Sequence, residues 1–541
     1  MKLRNLMWGA CACALMAGCS NDDAGVDNGG NVMEKGGKVY AKVRIAMDNG
    51  MGSRAAEEGG YDYGTEEDHA IKSIYFGFYK ADGSWEAEGK EVEEGSEMTP
   101  SGTPPGNVEA IIKDAVVALE LDEGDTFPAQ VIAYVNIPDA TSQFKGKSIE
   151  EAKKIMSAGK VDDTSSGFPM TNSTYLSEGK EVIATVVSNT DFYESEDAAK
   201  ECGHPVTIYV ERLAAKITVE NSQLKIDDID ANGHTLTFQP EGYSVSGTNT
   251  KEYYLKNIEE NWGEWDWFNE ETDHRCFWAE DPNYATMGST KLDFCSYTEA
   301  AAVQPGTPQY CMENTLDSNL AETDAFEAYT HLLVVGKYAV KDAEGPSVEL
   351  GDEEYLYMYA GTAYIGDDEI KGFLLDAAAD DQLAWVKIGS SYEQADADAY
   401  KIVRVGDTKN TVTLELGNNG ETYYRKTGES ISDINGFNSG LKTYLTTNIG
   451  APEAFKGGRA YFAVPIEHFG GTQTGGDGTG AIGVVRNHSY VLTVTQISGL
   501  GEGVFDPEED IIPAPVKKKY YVAATLNVLS WKAVTQKVSF N

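Results

Sequence analysis

The chain has 541 residues, enough for two or three domains with a sizeable core. Its 43 basic and 87 acidic residues give a formal net charge of −44, which excludes a nucleic-acid partner and adsorption to anionic lipid headgroups, since both demand a basic surface. With 41% hydrophobic and 10% aromatic residues the chain is not disordered, and its self-repulsion keeps it dispersed.

Lys2 and Arg4 precede an apolar stretch from Leu6 to Ala17, too short to span a bilayer, which reads as a secretory signal. It ends in Leu15-Met16-Ala17-Gly18-Cys19, a lipobox whose small residues fit a signal peptidase and whose Cys19 thiol can accept diacylglycerol. The expected membrane anchor is therefore lipid, followed by the acidic run Ser20-Asn21-Asp22-Asp23. Cys11 and Cys13 leave with the signal. Cys202, Cys276, Cys295 and Cys311 remain, either as free thiols or in one of three pairings. They form no CxxC pair and have no nearby His at zinc spacing, so no metal site is expected.

Residues 20–37 read as a flexible tether. Val39, Ala41, Val43, Ile45 and Met47 then alternate with Tyr40, Lys42 and Arg44, the period of a strand with one buried face. A Gly-rich exposed segment follows, from Asp48 through Arg54 and Ala55. Ile71–Tyr79 and Val131–Asn136 predict core strands, with a turn at Asp82-Gly83 and an acidic loop over 86–107. Ser148 is placed to cap a short helix reaching Ala158, with Glu150 and Glu151 in its first turn. Strands are predicted at 182–187, at 206–219 on either side of Glu211-Arg212, and at 331–339, 354–364, 371–375, 411–416 and 460–466. A hairpin pair at 488–497 and 520–529 and a final strand, with Val534, Val538 and Phe540 on one parity, complete the chain. Short strands bounded by turns, with few helices, predict a mainly β protein of two β-sandwiches in series.

Catalytic motifs are missing from this pattern. There is no nucleophile elbow, P-loop or His-Glu-x-x-His, and the seven histidines are scattered, His488 at a strand start suiting a structural role. Asp228-x-Asp230-x-Asn232-Gly233 matches half a calcium loop, but Gln239 stands where a bidentate Glu is needed, and Asn232-Gly233 is a good hairpin turn. The Gly-rich run 470–483 has no Lys and no following helix signal, so it is no phosphate cradle and reads as a mobile loop. Trp262, Trp265 and Trp267 are either a sugar platform or the core face of a strand, the latter preferred. No catalytic, cofactor-binding or metal-ligating residue is assigned.

Several stretches together resemble the FimA/Mfa-type fimbrillins, major subunits of type V pili of Gram-negative anaerobes. They are the lipobox at Cys19, the strand leading to Arg54-Ala55, and Val131–Ile137, Met170–Ser173, Val210–Lys216, Tyr310–Thr315, Pro465–His468, Gly483–Tyr490, Ile497–Gly501 and Val528–Trp531. The resemblance implies two tandem transthyretin-like β-sandwich domains, over 55–205 and 206–541, behind a signal peptide (1–19) and a propeptide (20–54). It further implies that an outer-membrane lipoprotein precursor is cut by an arginine-specific protease between Arg54 and Ala55. Strand Val39–Met47 then leaves, and the C-terminal strand of an identical subunit fills the groove, head to tail, with accessory anchor and tip proteins in the same fimbria and adhesion and biofilm formation as the outcome. The donor is 534–540 alone or together with 520–529. Lys42 and Arg44 also offer basic cleavage positions, but within a strand. Removing residues 1–54 takes away seven basic and five acidic groups and leaves the remainder two charges more negative. Two other functions compete with this one. A tip or accessory adhesin would bind glycan or a host or bacterial protein, using the three tryptophans for glycan. A surface glycan hydrolase would need an acid pair ~5–10 Å apart, of which the sequence gives no sign.

Overall fold

The computed structural model describes residues 36–48, 67–92, 108–157, 166–177, 180–221, 224–258, 278–284, 291–316, 326–342, 345, 347–405, 410–468, 482–513, 521–529 and 534–537. Strands dominate them, as expected. The first sheet is built from β1 (Gly37–Asp48), β2 (Ile74–Tyr79), β3 (Trp85–Glu91), β4 (Val108–Leu121), β5 (Gln130–Val135), β6 (Met170–Asn172) and β7 (Val206–Arg212). Neighbours run β1-β7-β6-β5-β2-β3-β4, and β4 pairs back onto β1, so the sheet curls until it closes on itself. Val43, Ile45, Phe76, Phe78, Val117, Leu119, Val131 and Ile208 fill its interior. Tyr79, Ile132 and Tyr134 face outward under Phe144 and Ile149, which explains why β2 and β5 are apolar on both faces. Ser148 caps Ile149–Ala152 through a capping box with Glu151, and the helix stops well before Ala158.

Three expectations are corrected here. The acidic stretch 86–91 is strand β3, in which Ala87 and Gly89 turn inward while Glu86, Glu88 and Lys90 take the opposite face. The 14-residue strand β4 lies where no strand is expected. Val206–Arg212, expected to open the second domain, belongs to the first sheet, pairing with β1 and β6.

The second unit stacks two sheets. Its strands are β8 (Ala215–Glu220), β9 (His234–Ser246), β10 (Gln309–Cys311), β11 (His331–Asp342), β12 (Arg459–Pro465), β13 (Ser489–Ser498), β14 (Tyr521–Leu529) and β15 (Val534–Lys537). One sheet runs β10-β8-β13-β14-β15 and the other centres on β9-β11-β12. Ile217, Tyr490 and Leu492 of the first meet Phe238, Val334 and Phe462 of the second in one core. Asn232 and Gly233, both with positive φ, form the turn between Ile229–Asp230 and β9, so the half-match to a calcium loop is a hairpin.

A third body, residues 350–456, is inserted between β11 and β12. Residues 371–375 are not a strand but lie in helix α1 (Asp367–Ala377), and a second helix, α2 (Ile434–Asn448), joins it without a counterpart among the expected elements. Asp367, Asp368 and Glu369 suit the positive end of α1, and Ile370 and Leu374 bury one face. In α2, Asp433 accepts a hydrogen bond from the Gly436 amide, and Phe437, Leu441 and Leu445 recur every four residues. Both helices pack on the same core as Tyr357 and Ala454, while Leu356, Met358 and Phe455 from the same short sheet face the β-sandwich. Leu441→Ala is expected to cost ~2–4 kcal/mol of stability, seen as faster hydrogen exchange concentrated in 350–456.

Candidate assembly site

β1 is held on both sides. Against β4 it forms an antiparallel ladder along its whole length, with shifts after Ile45 and Met47. Against β7 it runs parallel from Val43 to Met47. Val39, Ala41, Val43 and Ile45 are buried as their alternation predicts, and Ala46 joins them at the bulge; the Met47 side chain lies outside the description.

The polar face of β1 is also tied down. Arg44 forms a two-pronged ion pair with the buried Asp114 of β4, at 2.7 and 2.9 Å, and this hydrogen bonding raises the guanidinium's pKa. Lys42 Nζ donates to the carbonyls of Cys202 (3.1 Å) and Lys200 (3.3 Å). Both alternative cleavage positions, Lys42 and Arg44, are thus engaged.

At the other end of the chain, β14 pairs antiparallel with β13, and β15 follows as the outermost strand, Val534 opposite Val528. Among the described residues β15 has a strand partner on one side only. Cys19, Arg54, Ala55, Trp262, Trp265, Trp267, Cys276, Val538 and Phe540 lie outside the described residues, as does most of 470–483. Cys202, Cys295 and Cys311 carry free thiols.

The two units are joined by buried charge. The chain leaves β7 at Arg212, whose Nε donates to the Asp68 carbonyl at 2.8 Å and whose amide donates to Asn487 Oδ1 at 3.1 Å. Asn487 sits in the left-handed region (φ 57), which Asn tolerates, and its amide donates to the Ala214 carbonyl. Arg486, 1% exposed, reaches Glu313 at 3.2 Å and the Tyr253 carbonyl at 2.8 Å, with Glu252 at 3.8 Å. Buried Lys256 pairs with Glu211 of β7 at 3.2 Å. His488 is buried with Nδ1 against the Arg486 carbonyl, the structural role expected of it.

Two cations thus serve three buried carboxyls, Glu211, Glu252 and Glu313, while a fourth, Asp281, accepts from the amides of Thr315 and Asn283 and from Asn249 Nδ2. Burial pushes Glu252 up to about 8 and Asp281 up to about 7, in each case against hydrogen bonds that favour the charged form. Burial likewise opposes the charge of Arg486, but Glu313, Glu252 and Glu211 more than offset it and raise its pKa. Sequence reading found this joint only as quoted stretches; its local signal is a charge set among apolar neighbours, as in Val210-Glu211-Arg212-Leu213.

Two family models match the chain. The major fimbrial subunit protein (FimA) model covers residues 41–212, from inside β1 to the last residue of β7. The C-terminal model of the type IV major fimbrial subunit protein, fimbrillin, covers 453–537 and ends with β15. Both matched regions are those of FimA-type fimbrillins. They support a structural role for this chain in a cell-surface fimbria. No curated protein sequence matches the chain. Among solved structures, it is similar to a fimbrilin from Porphyromonas gingivalis W83 (13% identity, 93% of this chain and 99% of that one, TM-score 0.36). A cell adhesion protein from Parabacteroides distasonis ATCC 8503 gives 13% identity, 91% and 100% coverage and a TM-score of 0.35. The tip fimbrial protein Mfa3 from Porphyromonas gingivalis gives 10%, 91%, 99% and 0.28.

Arg486→Met strands Glu313 and Glu252 without their cation and is expected to cost about 3–5 kcal/mol in denaturant unfolding. Because Glu252 and Asp281 hold protons in the folded state that the unfolded chain releases, stability should fall as pH rises from about 4.5 to about 8. The melting temperature should therefore be higher at pH ~5.5 than at pH ~8.5, and Glu252→Gln should flatten that difference.

Proposed function

We propose that this chain is a shaft subunit of a surface fimbria, polymerised by strand exchange, and not an enzyme. It is exported as a lipoprotein on Cys19, anchored to the outer membrane, and matured by an arginine-specific protease between Arg54 and Ala55. β1 is then lost, and the C-terminal strand of an identical subunit takes its place. Accessory anchor and tip proteins complete the fimbria, which serves adhesion and biofilm formation.

One observation carries this reading: the strand just ahead of Arg54 is the one that closes the first sheet, with β4 on one side and β7 on the other. Its loss would leave two backbone edges unpaired and bare the interior around Val117, Leu119 and Ile208. Burying each large aliphatic side chain contributes ~1.5–3 kcal/mol, so the emptied slot strongly favours refilling by a strand of alternating apolar pattern. Val534, Val538 and Phe540 supply that alternation. A contact between a groove on one copy and a strand on the next does not close, so it grows a filament. Engagement of Lys42 and Arg44 within β1 supports Arg54 as the cleavage position. The corresponding division of the mature chain is 55–212 and 213–541.

The test is trypsin treatment of the purified soluble precursor (residues 20–541), with N-terminal sequencing and native gels. The expected result is a new terminus at Ala55 and a ladder of oligomers. Deleting 530–541 should abolish the ladder but not the cut, and Arg54→Ala should prevent both. Clean cleavage at Ala55 that leaves only monomers would contradict the shaft role, and a glycan array with Trp265→Ala would then test the tip-adhesin alternative.

A further inference from the structure

The two halves of β1 are held differently. From Val43 to Met47 the strand has β4 on one side and β7 on the other. From Gly37 to Lys42 it has β4 on one side, but on the other, among the described residues, only the two-residue strand Phe192–Tyr193, opposite Tyr40 and Ala41. That short strand belongs to a strap, Ser188–Cys202, laid over the edge ahead of β7.

The strap is a self-contained unit. A turn over Asn189–Asp191 is boxed by Ser188 and Asp191, and a single-turn helix, Glu196–Lys200, is capped by Ser195. Besides its pairing with β1, it holds the body through the Phe192 ring against Phe78 and Phe127 (centroids 6.1 and 5.6 Å), buried Ala199, and the two carbonyls that accept from Lys42. By contrast, the Val43–Ala46 half carries three side chains at 0% exposure and the bidentate Arg44–Asp114 pair.

We propose that the strap Ser188–Cys202 is a latch and that β1 is exchanged from its N-terminal half: the latch lifts, Gly37–Lys42 frays from β4, and the incoming strand of a second copy docks on the freed β4 edge and displaces Val43–Met47 last. This rests on the strand-exchange reading above and adds to it where the partner first binds. A strand invading a fully paired sheet needs one unpaired edge to begin, and opening is cheapest where fewest ladder bonds and buried side chains are lost. Cutting at Arg54 alone would then leave β1 seated, so the latch rather than the cut sets the rate of growth.

Hydrogen exchange with mass spectrometry on the uncleaved chain reads the order of opening without any polymerisation, so its outcome stands whether or not cleaved subunits assemble. Amides of Lys38–Lys42 should exchange at least ~10-fold faster than those of Val43–Ala46. Lys42→Met, which removes both strap bonds, and the milder Phe192→Leu should each speed exchange in the first half alone, and should speed oligomer growth after trypsin several-fold. Arg44→Gln should speed exchange only in the second half and leave growth little changed. Equal exchange in the two halves, faster exchange in the second half, or acceleration of growth by Arg44→Gln but not by Lys42→Met would overturn the proposal.

Discussion

The first unit depends on a requirement of backbone pairing: the facing edges of β4 and β7 need a strand between them. β1 meets it with an antiparallel ladder to one edge and a parallel ladder to the other, and its inward side chains complete the apolar interior. Strands of the family's first matched region lie around that slot, and the match itself begins inside β1. A slot filled by a segment whose chain connection is a Gly-rich stretch can be filled by another strand of like pattern, because ladder bonds are blind to sequence and only the alternation of side chains must match.

What keeps the slot in register with the rest of the molecule is the buried joint. β7 forms one wall of the slot and ends in Glu211 and Arg212, which are committed to Lys256, Asp68 and Asn487 of other segments. The turn through Arg486 and Asn487 lies directly before β13, the strand that carries β14 and, through it, β15. The wall of the slot that β1 fills and the root of the C-terminal strands therefore share one charged cluster. Removing water from six ionisable groups is costly, and the cluster is tolerated because each cation meets carboxylates or carbonyls and because burial keeps protons on Glu252 and Asp281.

Much of this is legible where one face of an element is plainly apolar. β1 shows its period of two over Val39–Ile45, and the hairpin of β13 and β14 falls within one residue of expectation at each end. Elements that mix their signals escape such a reading. β3 alternates around Ala87 and Gly89, too small to mark an inward face among acids. β4 mixes Lys113 and Asp114 into its run because Asp114 is spoken for by Arg44. β9 is broken by Pro240 and bulges there. α1 passes for a strand because Gly372-Phe373-Leu374-Leu375 is locally apolar, although the acids of its first turn and the spacing of Ile370 and Leu374 are its helical signature. The joint is not derivable residue by residue, since it brings Glu211, Glu313 and Arg486 together from three distant segments.

The most direct measurement of strand exchange is a disulfide between two copies. Ala118 lies opposite Tyr40 in the β1–β4 ladder, on the partly exposed face, and Thr535 lies in β15 at the parity opposite to Val534, Val538 and Phe540. Ala118→Cys and Thr535→Cys are made in separate chains, mixed, cut with trypsin and oxidised, and the bridged peptides are identified by mass spectrometry. A mixed disulfide that joins these two substituted positions and forms only after cleavage is the predicted result. Oligomers that form without that bridge, or the same bridge in equal yield without cleavage, would contradict exchange of β1 for the C-terminal strand.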